Sequence, residues 1–280
     1  MDRFDYCFNK IYVLKSLGDA DTYADDLYFE TIEPQCAKWG LETEPPIEIY
    51  DALDWGKAID KICGDACQKP LVHIEMHGDE EKGLELRMGD FIPWQKVIED
   101  LTRINVRSQN NLIVTMAVCY STMIAYAISM IKNPAPYLFS VTTSKRVLGK
   151  DSYQLFTIFY KELIETKELY AALKNVEYNH PELAKQFDIL AVPFLFENSF
   201  KAYADSYRDA EVIKRGYYRS LPYVQDHELS KEDFSKYRDT FVRMYTSLAN
   251  EYYRKYRDIF FMFDRYPENR ERFHLPDTIF

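Results

Sequence analysis

The chain has 280 residues, 47% of them hydrophobic, so it is long enough for one large domain, or a domain with an appendage, built on a sizeable core. A net charge of −10 argues against general binding to DNA. No apolar run approaches the ~20 residues that span a bilayer, and Met1-Asp2-Arg3-Phe4-Asp5 carries no basic-then-apolar leader. Neither a membrane nor a secretory role is expected.

In chain order, Ile11–Leu14 reads as a strand, followed by a helical pattern over Asp21–Trp39 that Gly40 stops. Ile47–Tyr50 is a second strand and Trp55–Cys67 a second helix. Leu71–Met76 is a third strand. A hairpin-like stretch, Gly83–Met88, precedes a helix over Pro93–Ile104 with Trp94, Val97, Ile98 and Leu101 on one face. Leu112–Val118 is nearly continuously apolar, as a strand covered on both faces requires. Tyr120–Ile131 reads as helical, Tyr137–Thr143 as a fifth strand and Ser152–Leu173 as one long amphipathic helix. Phe187–Phe196 is a last strand, placed at an edge by Pro193.

Alternating strands and helices define an α/β fold: a mostly parallel sheet of about six strands between helical layers, joined by right-handed crossovers. Beyond about residue 198 the pattern becomes helical and aromatic, so the chain is expected to divide into residues 1–198 and a C-terminal region, 199–280. In that region Ser230-Lys-Glu-Asp233 reads as a helix cap. Phe234, Tyr237, Phe241, Tyr245, Leu248 and Tyr252 then trace one helical stripe, read as core.

Two segments carry the chemistry. Pro70-Leu-Val-His-Ile-Glu-Met-His-Gly78 is a strand ending in His77-Gly78, and Asn111–Tyr120 is a strand ending in Cys119. Joined by one crossover helix, these strands are expected to be neighbours, about 4.8 Å apart. Both reactive residues then lie at carboxyl ends, where open α/β sheets place their sites. A thiolate is the nucleophile, and a nearby imidazole takes its proton and later returns it to the leaving amine. A helix starting near Tyr120 would favour the thiolate. The N–H groups of Gly78 and Cys119 are candidate oxyanion donors, worth about 3 kcal/mol each. The cysteines at 7, 36, 63, 67 and 119 are odd in number and form no disulfide framework, which fits a reduced, cytoplasmic protein.

The ordered pair, a hydrophobic strand ending in His-Gly and a later one ending in Cys, resembles the caspase-like (clan CD) cysteine peptidases: caspases, metacaspases, separase, gingipains and bacterial CHAT proteases. The likeness covers roughly residues 8–198, and Tyr137–Val176 is also similar to the end of CHAT domains. The resemblance implies a caspase-like three-layer fold and endopeptidase activity on a protein or peptide substrate. His77 would be general base and acid, Cys119 the nucleophile and Gly78 an oxyanion donor. It also implies a regulated effector of a bacterial antiviral-defence or cell-death pathway. The C-terminal region would be where a protein or small signalling nucleotide acts as activator. Two residues before the nucleophile the family carries Gln or Asp, which help read the P1 side chain; here Ala117 stands there. That leaves two pockets open: a small or apolar one over Ala117, or one in which Lys145 and Arg146 attract an acidic P1. Tyr120 replaces the small residue that often follows the nucleophile.

Simpler readings compete. Cys119 alone is a buried core thiol; the paired His77-Gly78 favours catalysis. His73 and His77 share a strand face, but no third metal ligand accompanies them. Cys63 and Cys67 read as structural neighbours on one helix. Asp79, Glu80 and Glu81 read as a solvated loop, with attraction of basic substrates as the alternative. Lys214, Arg215, Arg219, Arg254, Lys255 and Arg257 read as solvated helix faces rather than an anion site. No Gly-rich phosphate loop is present, and neither a cofactor nor a metal is expected. The second functional reading is a catalytically inactive, caspase-shaped interaction or ligand-sensing module. A receiver-like domain, the third, would rest on Asp19 and Asp51 and leave His77-Gly78 and Cys119 unexplained.

Overall fold

A computed structural model describes residues 7–18, 20–65, 69–130, 133–206, 209, 211, 212, 215, 219 and 231–278. The chain divides into two compact units between Val192 and Pro193, with residues 131–133 grouped with the second.

The first unit is α/β. Its strands are β1 (Lys10–Ser16), β2 (Glu42–Thr43), β3 (Ile47–Glu48), β4 (Pro70–Asp79), β5 (Gly83–Glu85), β6 (Phe91–Ile92), β7 (Ile113–Ala117), β8 (Phe139–Thr142) and β9 (Asp188–Ala191). The main path runs β2-β1-β4-β7-β8-β9, and all its pairs are parallel except β8 with β9. β3 takes a second place beside β1, while β5 and β6 form an antiparallel hairpin extension of β4. The six-position, mostly parallel sheet expected from the sequence is present. Every residue of β7 is buried, which explains its unbroken apolar run.

The helices of this unit are α1 (Tyr23–Leu27), α2 (Glu33–Trp39), α3 (Ala52–Gly64), α4 (Trp94–Arg107), α5 (Gly149–Thr166), α6 (Leu169–Asn179) and α7 (Pro181–Ala184). A π turn over Tyr28–Ile32 joins α1 to α2, and Gly40 ends α2 with φ 68°, a conformation that favours glycine. The connection from β1 to β2 moves one way along the sheet and that from β4 to β7 the other. Right-handed crossovers therefore put α1 and α2 on the opposite face from α4. α5 packs with α1 and α2, and α3 with α4. The second pair is joined by Trp55 Nε1, which donates to Asp100 at 2.8 Å.

Several sequence expectations are corrected. Ser152–Leu173 is not one helix: α5 ends at Thr166, Lys167 turns the chain at φ 57°, and α6 starts at Leu169. Phe187–Phe196 is a four-residue strand, β9, followed by a helix, α8 (Val192–Ser206). β9 is at the edge, but Pro193 lies in the first turn of α8, where its missing N–H costs nothing. α8 also runs through residue 198, the expected boundary. Tyr120–Ile131 is a 3-10 segment, Ser121–Met130, rather than an α-helix. Cys67, Asp19, Ser230 and Lys214 lie outside the described residues.

The second unit contains a helix of 30 residues, Lys231–Phe260, and a short one, Asn269–Phe273. Phe196 of α8 stacks on Phe260 at 5.2 Å and meets Tyr253 at 5.7 Å. Of the expected stripe, Phe241 is buried, whereas Tyr237, Leu248 and Tyr252 are half-buried. The buried line toward the helix end is Ala249, Tyr253, Arg257 and Phe260. Arg257 is not a solvated cation: it is 3% exposed, donating to the Pro276 carbonyl at 2.6 Å and pairing with Asp277 and Asp258.

Candidate functional site

β4 and β7 are parallel neighbours in a register that pairs His73 with Thr115 and Glu75 with Ala117. That last pair, Glu75 with Ala117, lies two residues before His77 on one segment and two before Cys119 on the other. Alternation puts His73, Glu75 and His77 on one face of β4, and Thr115 and Ala117 on the same face of β7. That face looks toward α5: the His73 ring meets Phe156 at 4.8 Å and Tyr160 at 5.6 Å.

β4 does not give way to a loop at His77, as the sequence suggested. It continues to Asp79 by leaving β7 and pairing with β5, His77 opposite Glu85 and Gly78 opposite Leu84. The exposed His77 thus stands on ordered backbone where the strand peels off the sheet. Gly78 packs directly on the turn that carries Cys119. A Cβ at this position would lie 2.6 Å from Val118 Cγ1 and well inside contact distance of the Cys119 carbonyl oxygen. Glycine is required here by contact with Cys119, not by a left-handed backbone.

β7 ends at Ala117, and Cys119 occupies the turn beyond it, half-buried. Tyr120 follows at φ 59°, a strained region for a bulky residue and one concentrated at functional turns. The turn is stitched to the loop after β8. The Tyr120 N–H donates to the Lys145 carbonyl at 3.3 Å and the Thr122 N–H to the Thr143 carbonyl at 3.0 Å. In return the Thr143 N–H donates to Ser121 Oγ at 2.9 Å. The Ser121 N–H donates to the Val118 carbonyl and the Met123 N–H to the Tyr120 carbonyl. The first N–H groups after Cys119 are therefore occupied and none is free to aim at the sulfur. The expected support of the thiolate by a helix N-terminus is absent from this geometry. The Cys119 N–H accepts no such role: among the described residues it has no hydrogen-bond acceptor, which leaves it available to an oxyanion.

The Cys119 thiol donates to the Val147 carbonyl at 3.7 Å, and no hydrogen bond joins it to His77. Ala117 is buried beneath the pair. Lys145 and Arg146 both have exposed side chains on the stitched loop, and the positive charge of Arg146 reaches Asp79. The structure thus gathers all six sequence-derived candidates, His77, Gly78, Ala117, Cys119, Lys145 and Arg146, at one end of β4, β7 and β8.

The neighbouring features sort into scaffold. Asp79 is a turn cap: its Oδ1 accepts the Glu81 N–H at 3.0 Å and the Lys82 N–H at 2.9 Å. Those two N–H groups, Lys82's first, hold its carboxyl below the usual range, with the charges of Lys82 and Arg146 adding to the effect. His73 is fully buried, with Nδ1 on Thr115 Oγ1 at 2.8 Å and Nε2 on Glu75 Oε2 at 3.3 Å, so both ring nitrogens are engaged. Thr115 Oγ1 continues the chain to the Tyr160 hydroxyl at 2.6 Å. Among the described residues no group of three or more His, Cys, Asp or Glu is placed to hold a metal ion.

Two groups in this site escaped the sequence reading. Val147 contributes only a carbonyl and left no signal. Glu75 left one, a carboxylate two residues before His77 in an otherwise apolar strand, hence on the histidine's face. Compared with known proteins, the chain matches no family model and no curated relative.

Proposed function

We propose that the protein is a cysteine endopeptidase with a caspase-like three-layer fold. In this reading His77 takes the proton of Cys119, the thiolate attacks a peptide carbonyl, and His77 protonates the leaving amine. Water activated through His77 then hydrolyses the acyl-enzyme. The oxyanion would be met by the Cys119 N–H, with that of Gly78 as its partner. The observation that carries the proposal is the parallel β4–β7 register, whose last pair stands two residues before His77 and Cys119, together with the contact of Gly78 with the Cys119 carbonyl. An imidazole not yet bonded to its nucleophile is ordinary in a protein without substrate, where catalytic contacts often tighten only on binding. No helix of the described residues is long and apolar enough to cross a membrane, and the reading includes a cytoplasmic setting. It further includes a regulated role in bacterial defence or cell death, with the second unit receiving a protein or small nucleotide activator.

A specific observation favours a second reading, an inactive caspase-shaped interaction module: the Cys119 thiol is engaged by the Val147 carbonyl rather than by His77. One experiment separates the two. Wild type and His77→Ala are labelled with iodoacetamide and the sites mapped by peptide mass. The peptidase reading requires fast labelling at Cys119 that slows at least about a hundredfold without His77, the lower end for a general base. Labelling of Cys119 at equal rates in both proteins would refute it and leave the module.

A further inference from the structure

We infer that Glu75 forms the floor of the P1 pocket and selects substrates with lysine or arginine at that position. The inference rests on the peptidase reading of His77 and Cys119.

Glu75 is 5% exposed, yet it lies one strand period from the pair that would carry the chemistry. A carboxylate taken from water is costly unless its oxygens are satisfied. Here only Oε2 is engaged, at 3.3 Å to His73 Nε2. Oε1 is bonded to no protein group among the described residues and is not one of the fully buried atoms left without a partner, so it is the oxygen that solvent reaches. The position opposite Glu75 in the ladder is Ala117, which puts only a single methyl beside the carboxylate. A longer residue there would lie over it. The chain therefore holds a largely buried acid with one oxygen open to water, one strand period before His77, with Ala117 beside it.

Depth fits a long cationic side chain. Two residues of β4 separate the level of His77 from that of Glu75, a drop of about 6.6 Å along the strand. A substrate held with its carbonyl at Cys119 reaches that level with the extended side chain of lysine or arginine, and not with that of aspartate or alanine. The cation would pair with Oε1 in place of water.

The exposed cations Lys145 and Arg146 point to the opposite specificity, an acidic P1. Their side chains stand in solvent on the loop after β8, and Arg146 already acts on Asp79. Exposed charges are screened within about 8–10 Å, whereas a buried one acts at nearly full strength. The floor decides the P1 residue, and the two cations are left to the rim.

The test uses the full chain and peptidyl acyloxymethylketones that differ only at P1: lysine, aspartate or alanine. Second-order rates of Cys119 modification are measured on wild type, Glu75→Gln and Ala117→Leu, with His77→Ala as the chemistry control and thermal melts to confirm folding. The lysine probe should exceed the alanine and aspartate probes by roughly a hundredfold in wild type, the usual scale for a buried charge pair. Glu75→Gln should collapse the lysine-to-alanine ratio to within about threefold of unity. Ala117→Leu, which leaves the acid in place but covers it, should collapse the same ratio. A structural role for Glu75 beside His73 would slow all probes together and leave the ratio standing, which overturns the inference. Preference for aspartate or alanine in a His77-dependent reaction overturns it too, while the peptidase reading stands. Modification of Cys119 that no probe achieves, or that ignores His77, overturns both.

Discussion

Position 78 has no room for a methyl group, because the backbone of β4 there runs against the Cys119 carbonyl and the Val118 side chain. Gly78→Ala must therefore push the Cys119 turn away from β4. The expected cost is about 1–3 kcal/mol, as for other overpacked sites, with a matching fall in Cys119 reactivity. A melt and a labelling rate both equal to wild type would show that the two backbones are not in contact. The remaining thiols set the background of any such experiment. Burial pushes the Cys36 thiol up to about 12 and raises that of Cys63. With a thiol at about 12, only about one molecule in ten thousand is thiolate at pH 8. Cys36 should stay unlabelled through pH 9 in the folded protein and react only in denaturant; labelling under native conditions would place it at the surface. At this scale the sequence singled out His77-Gly78 and Cys119, since they stand out as residue types after two apolar runs. It concealed the service of Gly78 to the Cys119 turn, because that contact joins two segments far apart in the chain.

α3 and α4 meet through a buried acid. Asp100, 1% exposed, accepts from Trp55 Nε1 at 2.8 Å, Lys96 Nζ at 2.6 Å and Arg103 Nη1 at 3.3 Å. Lys96 and Arg103 are half-exposed and can turn to water, but the indole N–H cannot. Asp100→Ala should therefore cost about 2–3 kcal/mol, the price of one buried donor left unpaired plus a lost charged acceptor. Lys96→Ala, removing a part-exposed partner, should cost under about 1 kcal/mol. Equal effects of the two substitutions on chemical denaturation would mean that Trp55 is satisfied elsewhere. The elements themselves were legible wherever apolar period and punctuation agreed, as for β7 and for α2 with Gly40. They were not legible where a break carries no glycine or proline. Lys167 separates α5 from α6 in a left-handed conformation, with the Glu168 N–H held by Thr166 Oγ1, while the apolar period runs on across the gap. The 3-10 segment after Cys119 is likewise set by tertiary partners, Thr143 and Lys145, that local sequence does not reveal.

At the scale of the chain, the two units differ in how they are held. The second centres on the Phe196, Tyr253 and Phe260 rings and on Arg257, whose pairing with Asp277 holds that carboxyl below its ordinary range. A depressed carboxyl stabilises the fold above its unfolded value of about 3.9 and loses that contribution as pH falls through the folded value. Asp277→Asn should thus lower the melting temperature at pH 7 and converge with wild type as pH falls through the lowered folded value; a difference that persists in stronger acid would point to lost packing instead. The first unit holds every described strand and all six site residues, and its last strand ends at Ala191. The Val192 N–H still donates to the Leu138 carbonyl, so a chain cut after 192 keeps the edge of the sheet intact. The sequence put the change of character near residue 198 because the aromatic helical pattern becomes unmistakable only there, after α8 has begun. A fragment of residues 1–192 should fold cooperatively and retain His77-dependent labelling of Cys119. If the second unit carries the activator site, the fragment should also label at a rate that no activator changes. A fragment that folds but loses labelling would instead make residues 193–280 part of what keeps the His77–Cys119 pair competent. One that fails to fold would show that the sheet needs the second unit to cover its core.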